Sequence, residues 1–440
     1  MRIGIQTWGS TGDVRPFVAL AAALTRAGHQ VHLVVTDIDQ RDYRHYAEEY
    51  GFRITQVATP VIADAAQLHE IGRRCIEART PAAQGRIIYR ETFLPVVEAM
   101  AVEAAQLVAS NEILVGHFFL HFLRAMAEKA GKPYVTVALA PFLLPSRLVY
   151  PSGAPRLGAW FNPLWWTLAG MVINRLFLGD SNVWRARLDL PPKRDQLREI
   201  FLGADLDLIA SSPQLFPAPA DWPASYRQCG FFDLPEDSRG DPIPAEVANF
   251  IAASAAPLFI TFGSLMPMDA ATLKAHLAIF TAALRLTGRR AIVQLPARWS
   301  GALPQSDHIL MVRFISHRRV FPRCAMIVHH GGAGTTHTAM RAGVPSIVIP
   351  HLADQFFWGE RLFQLGAAPR PIPLRKLNAQ RLATAIEVVS ASSAMRERAR
   401  GLSEVMRKEN GVGEAVALIE NLRAVQAGKT ADSSAASCSI

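Results

Sequence analysis

The sequence is poor in cysteine. Cys75, Cys229, Cys324 and Cys438 are scattered over 440 residues, and no two form a CxxC pair. That spacing argues against a disulfide framework, and it fits a reduced, cytoplasmic chain. Charge is also sparse, at 19% against 50% hydrophobic residues. This excludes a disordered chain and leaves apolar material for sizeable cores. There is no dense Lys/Arg run. The net charge of +9 is spread out, apart from short groups such as Arg396, Arg398 and Arg400. It reads as a solvated basic surface suited to an anionic small substrate, with no nucleic acid as partner. The start, "MRIGIQTWGSTGD", lacks the charged n-region and apolar stretch of a signal peptide. No hydrophobic run is long enough to span a bilayer. The most membrane-like segment, "FNPLWWTLAGMVINRLFL", is broken by Asn174 and Arg175. It is suited to covering an apolar ligand or touching a membrane surface, so peripheral membrane contact is an expectation.

What the chain has is alternation. "RIGIQTW" is a short strand and "GSTGD" a turn. Val14, Phe17, Val18, Ala21 and Leu24 then recur at helical spacing, with Pro16 in the first turn. Gly28 ends that helix and "HQVHLVVT" is the next strand. "ILVGHF", "PYVTVAL" and "LDLIASS" continue the series. After Pro213 the texture becomes rich in proline and turn residues, as a linker is. Alternation resumes with "PLFITFGS", "RRAIVQLP", "ILMVRF", "AMIVHH" and "SIVIPH". The fold class is therefore α/β, with two Rossmann-like domains facing each other across a cleft. The expected boundaries are 1–215 for the first domain, 216–245 for the linker and 246–405 for the second domain. A helix over 406–427 is expected to pack back on the first domain, and 428–440 to be a disordered tail.

The sharpest feature is "HHGGAGTTHTAMRAG", from His329 to Gly343. A buried strand runs into a glycine-rich turn and then a helix. Gly331, Gly332 and Gly334 remove the Cβ atoms that would keep a ligand from the backbone. Thr335 or Thr336 is placed to cap the helix. The unpaired amides of a helix N-terminus make an anion site, and the expected anion is phosphate. His330 is placed to add a hydrogen bond or a charge. His329 and His330 point to opposite strand faces and have no acidic or thiol partners at zinc spacing, so no metal is expected. Taken alone, the turn could equally be a cap with no ligand. Asp354 and Gln355, at the exit of the next strand, add an acid and an amide able to read sugar hydroxyls. Their structural alternative is helix capping by Asp354, with Gln355 in solvent.

Together these residues resemble the family-1 glycosyltransferases of the GT-B fold, within them the branch acting on sterols, glycolipids and antibiotic aglycones. The likeness rests on "GSTGDVRPFVALAAALTRAGHQVHL", "DWPASYRQCGFF", "ITFGS" and "HHGGAGTTHTAMRAGVPSIVIPHLADQFFWGERL". It implies that His330, Gly332, Gly334, Thr335 and Ser264 hold the donor diphosphate, and that Asp354 and Gln355 hold the sugar. It also places Phe314 over the nucleobase and the Ile315 backbone at the base edge. "FISHRRVF" departs from the pattern, with Arg319 where sterol enzymes often carry tryptophan.

Asp13, in "GDVRP", falls where plant members carry a catalytic histidine. A carboxylate there can take the proton of an attacking hydroxyl; its alternative role is a helix cap. His117 falls where those members carry the supporting aspartate, so a swapped Asp13–His117 pair is a hypothesis. The implied reaction is an inverting transfer of a hexose, UDP-glucose being the default donor and a dTDP-deoxysugar such as a rhamnosyl donor the alternative. No cofactor or metal is expected; the partners are a nucleotide sugar and a hydrophobic acceptor. The apolar segments between Leu139 and Leu178 suit such an acceptor, with Trp165, Trp166 and Met171 as candidate pocket residues or core. The rivals are a sugar-nucleotide epimerase and a non-catalytic nucleotide-sugar or lipid binder. A dinucleotide oxidoreductase lacks its GxGxxG spacing in "GSTGDV".

Overall fold

The apolar runs become two parallel sheets with helices on both faces. The strands of the first are β1 (Arg2–Gly9), β2 (Gln30–Asp37), β3 (Arg53–Gln56), β4 (Ile113–His117), β5 (Tyr134–Ala138), β6 (Leu206–Ile209) and β7 (Tyr226–Gln228), in the order β3-β2-β1-β4-β5-β6-β7. The second sheet holds β8 (Leu258–Thr261), β9 (Ala291–Gln294), β10 (Ile309–Val312), β11 (Met326–His329) and β12 (Ser346–Val348), ordered β10-β9-β8-β11-β12. Strand pairing is parallel throughout; β1, for example, sets Ile3 beside Ile113 and Ile5 beside Val115. The computed structural model describes residues 1–59, 65–78, 80–151, 154–155, 157–234, 242–263, 270–295, 308–313 and 315–422.

The continuous hydrophobic character of β1, β4, β8 and β11 follows from burial on both faces. In the first domain one core layer contains Ile3, Phe17, Leu20 and Val115, and the other Phe93, Met100, Leu114 and Phe122. The second domain repeats this, with Ile260, Phe280 and Ile386 on one side and Phe259, Met340 and Trp358 on the other. The helical stretch Pro81–Ser110 is long and apolar enough to cross a membrane by length and composition, but half of that window is buried inside the domain.

Two strands were not expected. β3 is short and only partly buried, so its pattern is weak. β7 lies inside the proline-rich stretch 216–245 that reads as a linker. Its three residues pair with β6 and close the first sheet, so the first domain takes over part of that stretch. A strand this short, next to Pro223, carries no periodicity to read. The helix over residues 411–422 returns to the first domain, where Ala415, Val416 and Ile419 join the core of Ile3 and Leu20. His29 Nε2 and Glu420 Oε1, 2.9 Å apart, fasten the same contact.

The crossing between domains is built around His337, which is wholly buried. Its Nδ1–H donates to Ala333 O over 2.7 Å, and its Nε2 accepts the N–H of Ser212 over 3.1 Å. Ser212 Oγ donates to Glu409 Oε1 over 2.7 Å. Phe231 stacks on the imidazole at 4.3 Å between centroids. Three chain segments thus meet at one ring: the exit of the first domain, the linker and the returning chain.

Candidate active site

The turns after β1 and β11 both leave the carboxyl ends of central strands, where open parallel sheets bind ligands. The first turn is shaped by Gly9, at φ +137°, where an added Cβ would lie 2.4 Å from Asp13 Oδ2. The helix that follows is Thr11–Arg26, with Ser10 as N-cap, so it starts three residues before Val14. Asp13 is its third residue rather than its cap. The carboxylate Oδ2 accepts the Ser10 N–H over 2.8 Å and the Ser10 Oγ–H over 2.9 Å. This is the return half of a capping box. Asp13 is partly exposed. Enough protein still surrounds its carboxylate for burial to raise its pKa to about 6, against the lowering effect of the Ser10 bonds.

In the second domain the N-cap is Gly332 and the helix is Ala333–Ala342. Thr335 and Thr336 therefore lie inside the first turn and cap nothing. The Thr336 hydroxyl is buried without a partner, and Thr335 is partly exposed. Gly331 takes φ +92°, where a Cβ would meet Val348 and the Gln355 carbonyl. His330 lies between two glycines: a Cβ on Gly332 would come within 2.4 Å of its Nε2, and one on Gly263 within 2.6 Å of its Cε1. Its Nδ1 is buried without a partner, and burial lowers its pKa to about 4. The imidazole is neutral and held ready as a neutral donor. A Cβ added at Gly334 would meet Phe231 of the linker at ordinary van der Waals distance. His329 turns away from the cleft; it is wholly buried and its Nδ1 accepts the Gly331 N–H over 3.1 Å. Among the described residues no group of three His, Cys, Asp or Glu could hold a metal ion.

Asp354 and Gln355 open the helix Ala353–Gln364. The N-cap is Leu352, and Gln355, third in the helix, returns its side chain to it. Gln355 is buried, and its Oε1 accepts the N–H groups of His351 and Leu352 at 2.8 and 3.0 Å. Asp354 is left partly exposed. Burial raises its pKa to about 7, and the charge of Asp13 adds to the rise; the amides of Asp354, Ala333 and Gln355 oppose it. The charge of Asp13 thus reaches Asp354 from the opposite domain, and the Asp354 carboxylate accepts the Ala333 N–H at the N-terminus of the glycine-turn helix.

The expected Asp13–His117 pair is not formed. His117 is buried among Phe17, Phe118 and Phe119. Its Nδ1 accepts the Phe119 N–H over 3.4 Å, and its Nε2 has no partner. Burial alone lowers its pKa to about 3. The reason is local: Asp13 turns back to its own helix cap, and the strand end of β4 buries His117 behind aromatic rings. Ser264 and Phe314 lie outside the described residues. Ile315 packs into the core of the second domain, which leaves only its backbone for a ligand. Of the three candidate acceptor residues, Trp166 is core, with its indole N–H donating to Val149 O over 2.7 Å. Trp165 is partly buried. Met171 is 54% exposed on the outer surface.

The cleft also holds residues that the sequence reading did not single out. His351 is buried with both ring nitrogens unpartnered, stacked between Phe262 and His330. His317 Nε2 lies 2.5 Å from Gln294 Oε1, and burial, with the charge of Arg15 from the other domain, lowers its pKa to about 3. Gln84 of the first domain reaches the His351 carbonyl at 3.5 Å. A histidine one step after "IVIP" and another in "ISHRR" were the available signals, but lone histidines in apolar surroundings are weak ones.

Comparisons with known proteins agree with this geometry. The model of the erythromycin biosynthesis protein CIII-like C-terminal domain matches residues 288–422. The chain is 33% identical to O-mycaminosyltylonolide 6-deoxyallosyltransferase of Streptomyces fradiae over 438 residues, covering 96% of this chain and 97% of that protein. A sterol 3-beta-glucosyltransferase of Arabidopsis thaliana is 27% identical, covering 94% of this chain and 67% of its own length. In structure, the glycosyltransferase SsfS6 of Streptomyces sp. SF2575, solved with thymidine diphosphate, superposes with a TM-score of 0.63 at 19% identity, over 96% of this chain and 99% of that one. With a glycine-turn helix facing a capped carboxylate across two parallel sheets, and a full-length relative above 30% identity, the chain belongs to the family-1 glycosyltransferases and has their GT-B fold.

Proposed function

We propose that the enzyme transfers a hexose from a nucleoside-diphosphate sugar to a hydroxyl of an apolar acceptor, with inversion. The observation that carries this reading is the pair of strand-exit turns, with Asp13 held by Ser10 in one and His330 set between Gly263 and Gly332 before the helix Ala333–Ala342 in the other. The acceptor O–H gives its proton to Asp13 while the oxygen attacks the anomeric carbon and the bond to the diphosphate breaks. Ser10 holds Oδ2, and a carboxylate with a pKa of about 6 is ionised at neutral pH yet basic enough to work. Charge growing on the leaving diphosphate meets the first amides of the helix, with His330, Gly332, Gly334, Thr335 and Ser264 around it. Asp354 and the Gln355 amide take the sugar hydroxyls. The base is assigned to Phe314 and the Ile315 backbone. A single base suffices, and no metal takes part in the scheme.

Two donors are in play. The sterol glucosyltransferase relative favours a glucosyl donor, with UDP as the default carrier, and the deoxyallosyltransferase, which has the higher identity, a deoxyhexosyl donor, with dTDP as the alternative carrier. Calorimetry with UDP-glucose and a dTDP-deoxyhexose, on wild type and His330→Ala without added metal, tests the cradle and chooses the base. Loss of binding in the variant supports the reading. Equal binding by both proteins removes His330 from the site, and a requirement for a divalent ion overturns the metal-free scheme.

A further inference from the structure

The surface of the first domain is unevenly apolar. Eight of the fourteen large apolar side chains that are most exposed among the described residues lie between Leu148 and Val172. Most belong to the helix Asn162–Ile173 and the short turn Ala159–Phe161 before it. Asn162 and Trp166 hold the inner side of that helix against the domain. Trp160, at 96% exposure, Leu164, Leu168 and Met171 fall on the outer side, spaced so that one face carries them all. The helical path continues through Asn174–Leu178 and brings exposed Arg175 to the end of the same face.

Beside Arg175 is a cavity of about 350 Å³, lined by Arg86, Tyr89, Arg90, Arg175, Leu176 and Phe177. Three arginines from two helical stretches line it. Tyr89 and Phe177 meet edge to face at 4.7 Å within the same lining. None of the three arginines forms an ion pair with a described residue. Two of the neighbouring acids are otherwise engaged, Glu91 with Arg74 and Glu98 with Arg187.

We infer that this face docks on an anionic bilayer, the apolar helix face entering the interface and the arginine cavity taking lipid phosphates. Apolar side chains next to unpaired cations match that surface and no uncharged one. A second copy of this chain is a poor occupant, because a twofold contact would bring the same three arginines together in a molecule already carrying +9. The arrangement goes beyond the proposed reaction and does not depend on it. It bears on the reaction all the same: Gln84, on the helix that carries Arg86, touches the His351 carbonyl at the donor loop. Docking would therefore set the cleft near the bilayer, where an apolar acceptor dissolves.

The test is co-sedimentation of the full chain with vesicles of phosphatidylcholine alone and of phosphatidylcholine with phosphatidylglycerol, at low and high salt. Binding to the anionic vesicles only, weakened by salt, is expected. Leu164→Ser with Met171→Ser, and separately Arg86→Ser with Arg90→Ser and Arg175→Ser, should each lower the partition coefficient by about tenfold or more. Circular dichroism and UDP or dTDP binding should stay unchanged in both, which separates docking from folding and from the donor site. Equal binding to neutral vesicles, no binding to either, or a dimer in solution that these variants dissociate overturns the inference.

Discussion

The Ser212 N–H points at His337 Nε2, 3.1 Å away, and this bond joins the first domain to the helix Ala333–Ala342, proposed above to open the donor cradle. The Ala333 carbonyl on the other ring nitrogen accepts only, so the proton must sit on Nδ1. The ring is neutral, and burial lowers its pKa to about 4. Replacing His337 by Leu leaves the Ser212 N–H buried without an acceptor. A loss of about 1–3 kcal/mol in stability is expected, read from the urea midpoint. Donor KM should rise more than kcat falls, because the cradle helix loses its tie to the other domain.

Asp13→Asn keeps an oxygen for the Ser10 amide and removes the base. A fall in kcat of about 10²–10⁴-fold is expected, with donor binding nearly unchanged in calorimetry. In the wild type the rate should fall as pH drops through about 6, where Asp13 takes up its proton. The residual rate of the variant should lack that limb. A profile that keeps it would assign the titration elsewhere, Asp354 being the next group at about 7.

Gly332→Ala places a methyl carbon against His330 Nε2, at 2.4 Å if nothing moved. The ring must leave its slot. Nucleotide affinity should fall by roughly tenfold or more, about 1.4 kcal/mol, measured by titration calorimetry. The thermal midpoint should change little, since His330 and Gly332 border the cleft and not a core.

His117→Ala separates packing from catalysis. The ring fills space among three phenylalanines and has no bond to Asp13. Stability should fall by about 2–4 kcal/mol from the cavity left behind. Turnover per folded molecule should stay within a few-fold of wild type. A loss as deep as that of Asp13→Asn would restore the swapped pair.

Stability should decline on acidification from about pH 6.5 toward 4. His32, His117, His121, His317, His330 and His337 all have folded pKa values lowered to about 3 or 4 by burial. Each is fully stabilising above its unfolded value and loses that contribution as the pH falls through the window, because the unfolded chain binds the proton first. Asp13, Asp207 and Asp354 have raised values and act in the opposite sense, so they offset part of the loss. Urea midpoints across that range check the sign.

Much of this was legible in the sequence, for a physical reason. Strands buried on both faces are unbroken apolar runs, so β1, β4, β8 and β11 stood out, as did the turns that follow them. The glycines of "HHGGAGTT" announced a close approach to backbone, and the structure adds that two of the nearby glycines clear space for a histidine ring. β3 and β7 were lost because one is partly exposed and the other is only three residues long. The roles within the caps were misplaced by position. Helices began earlier than their apolar periodicity does, so Asp13 and Gln355 both fell on the third position of their helices, where each returns a bond to the residue that caps it. His337 and Ser212 are far apart in the chain, and no local pattern reports a bond across that distance.

The return of residues 411–422 to the first domain has a consequence for how the molecule is made. Ala415, Val416 and Ile419 belong to the same core as Ile3 and Leu20. On the ribosome, that core must wait for the whole second domain to emerge before its last layer arrives. Until then the helix Thr11–Arg26 and its neighbours carry an uncovered apolar seam. The two main core layers of the second domain draw on no described residue before Ala140, so they have no such wait and can finish first.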